Sequence, residues 1–126
     1  MNRDIVCPAI YKHFKGMDYA TMFCSQPISV EELTGHAEKL KVGIFSLHYI
    51  TAIYTEDLES EIYIFKIDDK LCHLSSQEEG ELVIYRPLYP FAFSTVARPK
   101  KMFLSKVDKE KYPNVEQEYR FELVRY

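Results

Sequence analysis

The sequence contains no tryptophan, only four glycines and no long apolar run in its 126 residues. Because tight hairpin turns need positive φ angles, so few glycines allow only a small number of such turns. The glycines also stand apart from one another, so the sequence has neither a phosphate-binding loop nor a dinucleotide-binding glycine motif. These absences exclude the best-known nucleotide-binding chemistries and leave the fold open.

Cysteine is also scarce, because Cys7, Cys24 and Cys72 are far apart and form no CxxC pair. This odd number of distant cysteines argues against a disulfide framework, so we expect reduced thiols. No HxxxH or HxxE spacing occurs. Cys72 and His73 are neighbours, but adjacent strand residues point to opposite faces and do not readily bind one ion. The sequence therefore predicts no metal site and no cofactor.

Neither a secretory signal nor a membrane-spanning segment is apparent. The longest apolar region, residues 42–54, is interrupted by Ser46, His48 and Thr51. The formal net charge of −3 provides no global attraction to nucleic acid or to an anionic membrane. We therefore expect a cytoplasmic protein that does not bind membranes.

The aromatic content is high, with ten tyrosines and eight phenylalanines, and both residue types favour strands. The length suits one domain, residues 1–126, with a substantial core. Alternating or β-branched segments predict strands at residues 19–24, 44–54, 61–67, 71–74, 82–86, 94–97 and 119–123. The sequence thus predicts a mainly β protein of the α+β type, in which the last strand closes a small barrel.

One segment has a clear helical signature. Ser29 and Glu32 have the spacing of a capping box, and apolar residues follow at helical intervals, which predicts a helix near residues 29–42. Gly35 weakens its middle by about 1 kcal/mol. Shorter helical turns are predicted near residues 99–103, after the rigid Pro99, and near residues 108–112.

Basic side chains alternate with aromatic rings around residues 11–16 and 85–101. Such combinations bind phosphates and stack on bases, although the rings can equally form the core while the cations extend to solvent. Arg98 stands out because a guanidinium clamps a carboxylate or phosphate with two hydrogen bonds, but it can also pair with an acidic residue such as Glu81. The predicted ligand-binding residues are His13, Lys15, Tyr85, Tyr89 and Arg98.

Three segments, in order, carry a family resemblance: IYKHFKG at residues 10–16, LVIYRPLY at 82–89 and ARPKKMFLSKV at 97–107. Together they resemble a bacterial domain-of-unknown-function family, number 1653, with the signature Y-x-HFKG, VVY-x-x-LY and VRP-x-x-MF. The chain resembles a longer member with an insertion around residues 29–49. The resemblance implies a compact SH3-like β-barrel without an established activity. The corresponding motif residues are His13, Phe14, Lys15, Gly16, Tyr85, Tyr89, Arg98, Pro99, Met102 and Phe103.

The favoured hypothesis is a non-enzymatic binding module that recognises an anionic small molecule, an acidic peptide or a nucleic-acid element. A second hypothesis is a small enzyme in which His13 acts as a general base. A third is a structural homodimer that pairs through an exposed edge strand and has no ligand site.

Overall fold

The computed structural model describes residues 4–88 and 95–125 and shows a mainly β protein, as predicted. Eight strands, two α-helices and one 3-10 helix follow one another along the chain. They are β1 (Ala9–His13), β2 (Asp18–Ile28), α1 (Val30–Lys39), the 3-10 helix (Ile44–Ser46), β3 (Tyr49–Tyr54), β4 (Asp57–Ile67), β5 (Lys70–Leu74), β6 (Leu82–Pro87), β7 (Val96–Pro99), α2 (Lys100–Phe103) and β8 (Phe121–Arg125). Among these described elements, no helix combines the length and apolar character needed to cross a membrane.

Six strands close a barrel in the order β2–β5–β4–β3–β7–β6 and back to β2. Most neighbouring strands are antiparallel, but the β2–β5 and β3–β7 pairs are parallel. The predicted barrel is therefore confirmed, whereas its SH3-like character stays a prediction.

The prediction that the C-terminal strand closes the barrel is wrong. β8 forms at Phe121–Arg125 but pairs with β1, which in turn pairs with the first part of β2. Closure comes instead from residues 26–28 of β2, which pair with residues 72–74 of β5. β2 is 11 residues long and includes Pro27, so it is long enough to pair both within the barrel and with the β1–β8 extension.

The segment predicted as one strand over residues 44–54 begins with a helical turn. Residues 44–46 form the 3-10 helix, and β3 starts only at Tyr49. Tyr49 and Ile50 are exposed, so β3 is not covered on both sides as predicted. The following turn is shorter than residues 55–60, because β4 already begins at Asp57, whose carboxylate accepts a hydrogen bond from the Ser60 hydroxyl at 2.7 Å.

The predicted helix is confirmed as α1. The Ser29 hydroxyl accepts a hydrogen bond from the Glu32 backbone N–H at 3.1 Å, which satisfies one of the unpaired donors of the first turn. Leu33 and Ala37 are buried and pack with Leu47 and Phe65 on the outside of the barrel. The helix ends at Lys39, earlier than the predicted residue 42.

The two shorter turns are also present. α2 follows Pro99, and its Phe103 is fully buried while Met102 stays partly exposed. The turn near residues 108–112 is closed by a 2.9 Å hydrogen bond from the Tyr112 N–H to the Asp108 carbonyl oxygen.

Replacing Gly35 by alanine is expected to raise the free energy of unfolding by about 1 kcal/mol, because alanine loses less backbone entropy in a helix. A Cβ atom at this position meets no atom within 4 Å. Urea denaturation measures the change. Gly16→Ala is the matched control and is expected to destabilise the protein, because Gly16 has a φ angle of +99°. Equal effects of the two substitutions would contradict this account of α1.

An aromatic cluster fixes β1 and β8 against the barrel. Phe103 and Phe121 stack with ring centroids 4.1 Å apart and planes at 7°. Tyr11 packs edge-on against Phe103 at 5.2 Å, and Tyr85 approaches Phe121 at 5.8 Å. All four rings are buried. This cluster holds the ends of β1 and β8 in place, and those ends form one wall of the cleft described next.

Candidate functional site

A cleft of about 450 Å³ opens where β1 ends and the chain enters β8. Its walls come from the turn after β1, from β7, and from residues 106–120, which lead into β8. Its charged lining comprises five permanent cations and one carboxylate: Lys15, Arg98, Lys106, Lys111, Arg120 and Asp108. The cleft is therefore a positive region on a protein of net negative charge.

The turn after β1 explains the HFKG segment. The Gly16 N–H donates to the His13 carbonyl oxygen at 2.8 Å, and the positive φ angle of Gly16 favours glycine at this position. Lys15, one residue earlier, is exposed at the edge of the cleft. Its ammonium group lies 5.8 Å from the ring centres of both Phe14 and Tyr112, which are themselves 4.9 Å apart. The Phe14 and Tyr112 rings thus form an aromatic wall next to the cations of the cleft.

The Arg98 side chain is held in place by Tyr85 and Phe121. Its Nε–H donates to the Tyr85 hydroxyl at 2.9 Å, and its guanidinium carbon lies 5.3 Å from the centre of the Phe121 ring. These contacts use one of the five N–H donors of the guanidinium. Glu81 pairs with Lys100 at 3.3 Å, so the alternative Arg98–Glu81 pair does not form.

Arg120 is the most unusual side chain of the cleft. Its Nε is buried and has no hydrogen-bond partner among the described residues. Burial, followed by the positive charge of Arg98, lowers the pKa of the Arg120 guanidinium. The salt bridges between described residues involve Lys100 and Lys106, and none involves Arg98 or Arg120. A buried donor without a partner costs about 1–3 kcal/mol, so a ligand that accepts a hydrogen bond from this Nε removes that cost.

His13 ends β1 and is only 7% exposed. Its ring packs against Phe14 at 4.4 Å and Phe121 at 4.9 Å, and its Nδ1 accepts a hydrogen bond from the Lys15 backbone N–H at 3.1 Å. Burial, then the charges of Arg98, Arg120 and Lys15, lowers the pKa of His13 to about 4. The ring is therefore neutral at pH 7 with its proton on Nε2, so it donates a hydrogen bond and is a weak base.

Comparison with known proteins finds a match to one protein family. Residues 71–123 match DUF1653, which is described as a protein of unknown function. The chain is similar to this family over that span. No curated protein and no solved structure matches the chain.

The DUF1653 match contains two of the three motif segments that suggested the resemblance, and it ends inside β8. It includes Arg98, Lys106, Lys111 and Arg120, which are most of the cations of the cleft. The HFKG segment lies outside the matched span, but β1 pairs directly with β8. The cleft is therefore assembled from the DUF1653 segment and from the N-terminal part of this chain.

The structure brings together three of the five predicted ligand-binding residues, because His13, Lys15 and Arg98 line the same cleft. Tyr85 is buried and does not line the cleft, but it contacts two residues that do, Arg98 through its hydroxyl and Tyr19 through its ring. Tyr89 lies outside the described residues. The tail 108–120 adds residues that the sequence reasoning missed, namely Lys111, Tyr112 and Arg120. Their only signal was the basic and aromatic composition of a segment that was interpreted as structural.

Proposed function

We propose that this protein is a binding module that captures a small organic anion in the cleft, with Arg98 and Arg120 as the clamp. The supporting observation is that Arg120 has a buried, unpartnered Nε beside a second guanidinium, with no salt bridge to a described carboxylate. A phosphate or carboxylate group placed between them accepts hydrogen bonds from both and neutralises their repulsion.

The size and charge of the cleft favour a small molecule over a macromolecule. A volume of about 450 Å³ falls within the range of sites for small ligands. The protein as a whole carries a net charge of −3, so a nucleic-acid backbone that extends beyond the cleft meets no general attraction. The Phe14–Tyr112 wall provides a surface on which the organic part of the ligand packs.

The role proposed for His13 is that of a hydrogen-bond donor to the ligand. With a pKa of about 4, the ring is a poor acceptor of a substrate proton at neutral pH. This favours binding over the alternative in which His13 acts as a general base.

The experiment that tests the proposal is a thermal-shift screen in low salt with inorganic phosphate, phosphosugars, nucleotides, organic acids, short oligonucleotides and acidic peptides. A ligand at a hundredfold its Kd adds about 2.7 kcal/mol of stability, which is readily visible as a higher Tm. We expect a small phosphate or carboxylate compound to produce the largest shift and Arg98→Met to remove it. Arg125→Met is the matched control, because Arg125 is exposed on β8 and does not line the cleft. A screen without any shift, or a shift that persists in Arg98→Met, would overturn the proposal.

Replacing Tyr85 by phenylalanine is expected to weaken anion binding about threefold to tenfold, because Arg98 loses the acceptor that orients its Nε. The free energy of unfolding is expected to fall by about 1 kcal/mol. Titration calorimetry with the best anion from the screen measures the affinity. Tyr54→Phe is the control, since the Tyr54 hydroxyl also donates a hydrogen bond, to Glu78 at 3.4 Å, but lies outside the cleft. Unchanged affinity in Tyr85→Phe would show that anion binding does not depend on the hydrogen bond between Arg98 and the Tyr85 hydroxyl.

A further inference from the structure

Two of the three cysteines meet on one face of β2. The Cys7 and Cys24 thiols lie close enough for each to shift the pKa of the other, although 16 residues separate them in the sequence. Both are partly exposed, whereas Cys72 is buried. None of the three is joined in a disulfide.

A β-bulge in β2 creates this meeting. Thr21 pairs with Tyr85, and Phe23 pairs with the next residue of β6, Ile84, so one extra residue is inserted at Met22. The alternation of faces is therefore shifted, and Cys24 lies on the same face as Thr21. In a regular strand, Cys24 would point to the opposite face.

The N-terminal segment crosses the same face and carries Cys7 with it. The Thr21 hydroxyl lies 2.7 Å from the Val6 carbonyl oxygen, to which it donates, and 3.2 Å from that of Ala9. The Val6 N–H donates to the buried Tyr11 hydroxyl at 3.0 Å. Val6 and Cys24 pack against the same core cluster, so residues 6–9 are held over β2 and Cys7 remains close to Cys24.

We propose that Cys7 and Cys24 form a redox modification site, at which a hydroperoxide converts the two thiols into a disulfide that fastens the N-terminal segment to β2. The Cys7 thiolate attacks the peroxide oxygen, which gives a Cys7 sulfenic acid and releases hydroxide. The Cys24 sulfur then attacks the Cys7 sulfur, and the sulfenic oxygen leaves as water. Overall, two thiols and one hydrogen peroxide give one disulfide and two waters.

The electrostatic surroundings assign the two roles. The contact with Cys24, together with the charge of Lys100, lowers the pKa of Cys7 to about 7. The same contact and burial raise the pKa of Cys24. A larger fraction of Cys7 is therefore ionised at pH 7 than of a free cysteine, whose pKa is about 8.5. Cys7 is the reactive thiolate and Cys24 is the resolving thiol.

Peptide mapping of the oxidised wild type tests the proposal directly. Trypsin places the three cysteines in separate peptides, which are residues 4–12, residues 16–39 and a peptide that begins at residue 71. After treatment of the native protein with hydrogen peroxide, we expect a linked pair of the first two peptides that dithiothreitol separates. The third cysteine is expected to stay alkylatable after unfolding. A peroxide-treated protein with three free thiols, or with a link to Cys72, would overturn the proposal.

Single variants separate the two roles. Cys24→Ser is expected to stop at a Cys7 sulfenic acid that dimedone traps, whereas Cys7→Ser is expected to resist peroxide. Cys72→Ser is the matched control and is expected to form the same disulfide as the wild type. The rate of Cys7 alkylation by iodoacetamide is expected to have its midpoint near pH 7. An alkylation midpoint at pH 8.5, the value of an ordinary thiol, would remove Cys7 as the reactive group.

Discussion

Replacing Arg120 by methionine is expected to weaken binding of the anion at least about tenfold while making the ligand-free protein more stable. The loss of affinity follows because a hydrogen bond to a charged group contributes about 1.5–3 kcal/mol. The gain in stability follows because the substitution removes a buried, unpartnered Nε and its repulsion with Arg98. We expect the free energy of unfolding without ligand to rise by about 1 kcal/mol.

Weaker anion binding together with higher stability of the ligand-free protein would exclude a structural role for Arg120. Urea denaturation in phosphate-free buffer measures the stability, and titration calorimetry measures the affinity. Arg125→Met, an exposed position on the same strand that Arg120 precedes, is expected to leave both quantities unchanged. If Arg120→Met lowers the stability of the ligand-free protein, Arg120 supports the fold and its unpaired Nε is no sign of a ligand.

The second large effect is a loss of stability in mild acid that depends on His13. The pKa of His13 is about 4 in the folded protein and 6.5 for an ordinary histidine. Between these values the unfolded chain binds a proton that the folded protein rejects, so stability falls as the pH decreases from about 7 towards 4. The expected loss attributable to this one residue is about 2 kcal/mol at pH 5 relative to pH 7.5.

A comparison of wild type with His13→Asn isolates this contribution. Burial also lowers the pKa of His73, but that effect is present in both proteins and cancels in the difference. Between pH 7.5 and pH 5, the free energy of unfolding of His13→Asn is therefore expected to fall by about 2 kcal/mol less than that of the wild type. His48→Asn, a substitution at an exposed position, is expected to follow the wild type. Parallel pH profiles of wild type and His13→Asn would show that burial and the cations of the cleft do not exclude the protonated ring.

Local features of this fold could be predicted from the sequence because their causes are local. The Ser29 cap, the positive φ angle at Gly16 and the start of α2 after Pro99 each depend on a few neighbouring residues. The strands with strong alternation or β-branched content were found for the same reason. Where the prediction was wrong, at residues 44–49, an apolar composition suits a buried 3-10 turn as well as a strand.

Barrel closure could not be predicted because it depends on contacts between distant residues. β2 and β5 meet as a parallel pair, and residues 26–28 of β2 include a proline that normally indicates the end of a strand. The bulge at Met22 is equally invisible in the sequence, because it is defined only by the pairing with β6. It reverses the face of every later residue in β2, including Cys24.

Some residues of the cleft could be identified from the sequence, and others could not. His13, Lys15 and Arg98 were identified from basic and aromatic patterns, and the fold brings them together. Arg120 was missed because it lies between Tyr119 and Phe121 in a segment that alternates like an ordinary strand. Its importance comes from burial beside Arg98, which no pattern within residues 119–123 reveals.

The most direct test of the proposed anion clamp is an NMR titration of the arginine Nε–H resonances with the anion that gives the largest thermal shift. Without the anion, the Nε–H of Arg120 lacks a hydrogen-bond partner among the described residues. We therefore predict that this resonance moves and becomes protected from exchange as the anion binds, while that of Arg125 stays in place. A titration that saturates elsewhere and leaves the Arg120 resonance unchanged would contradict the clamp.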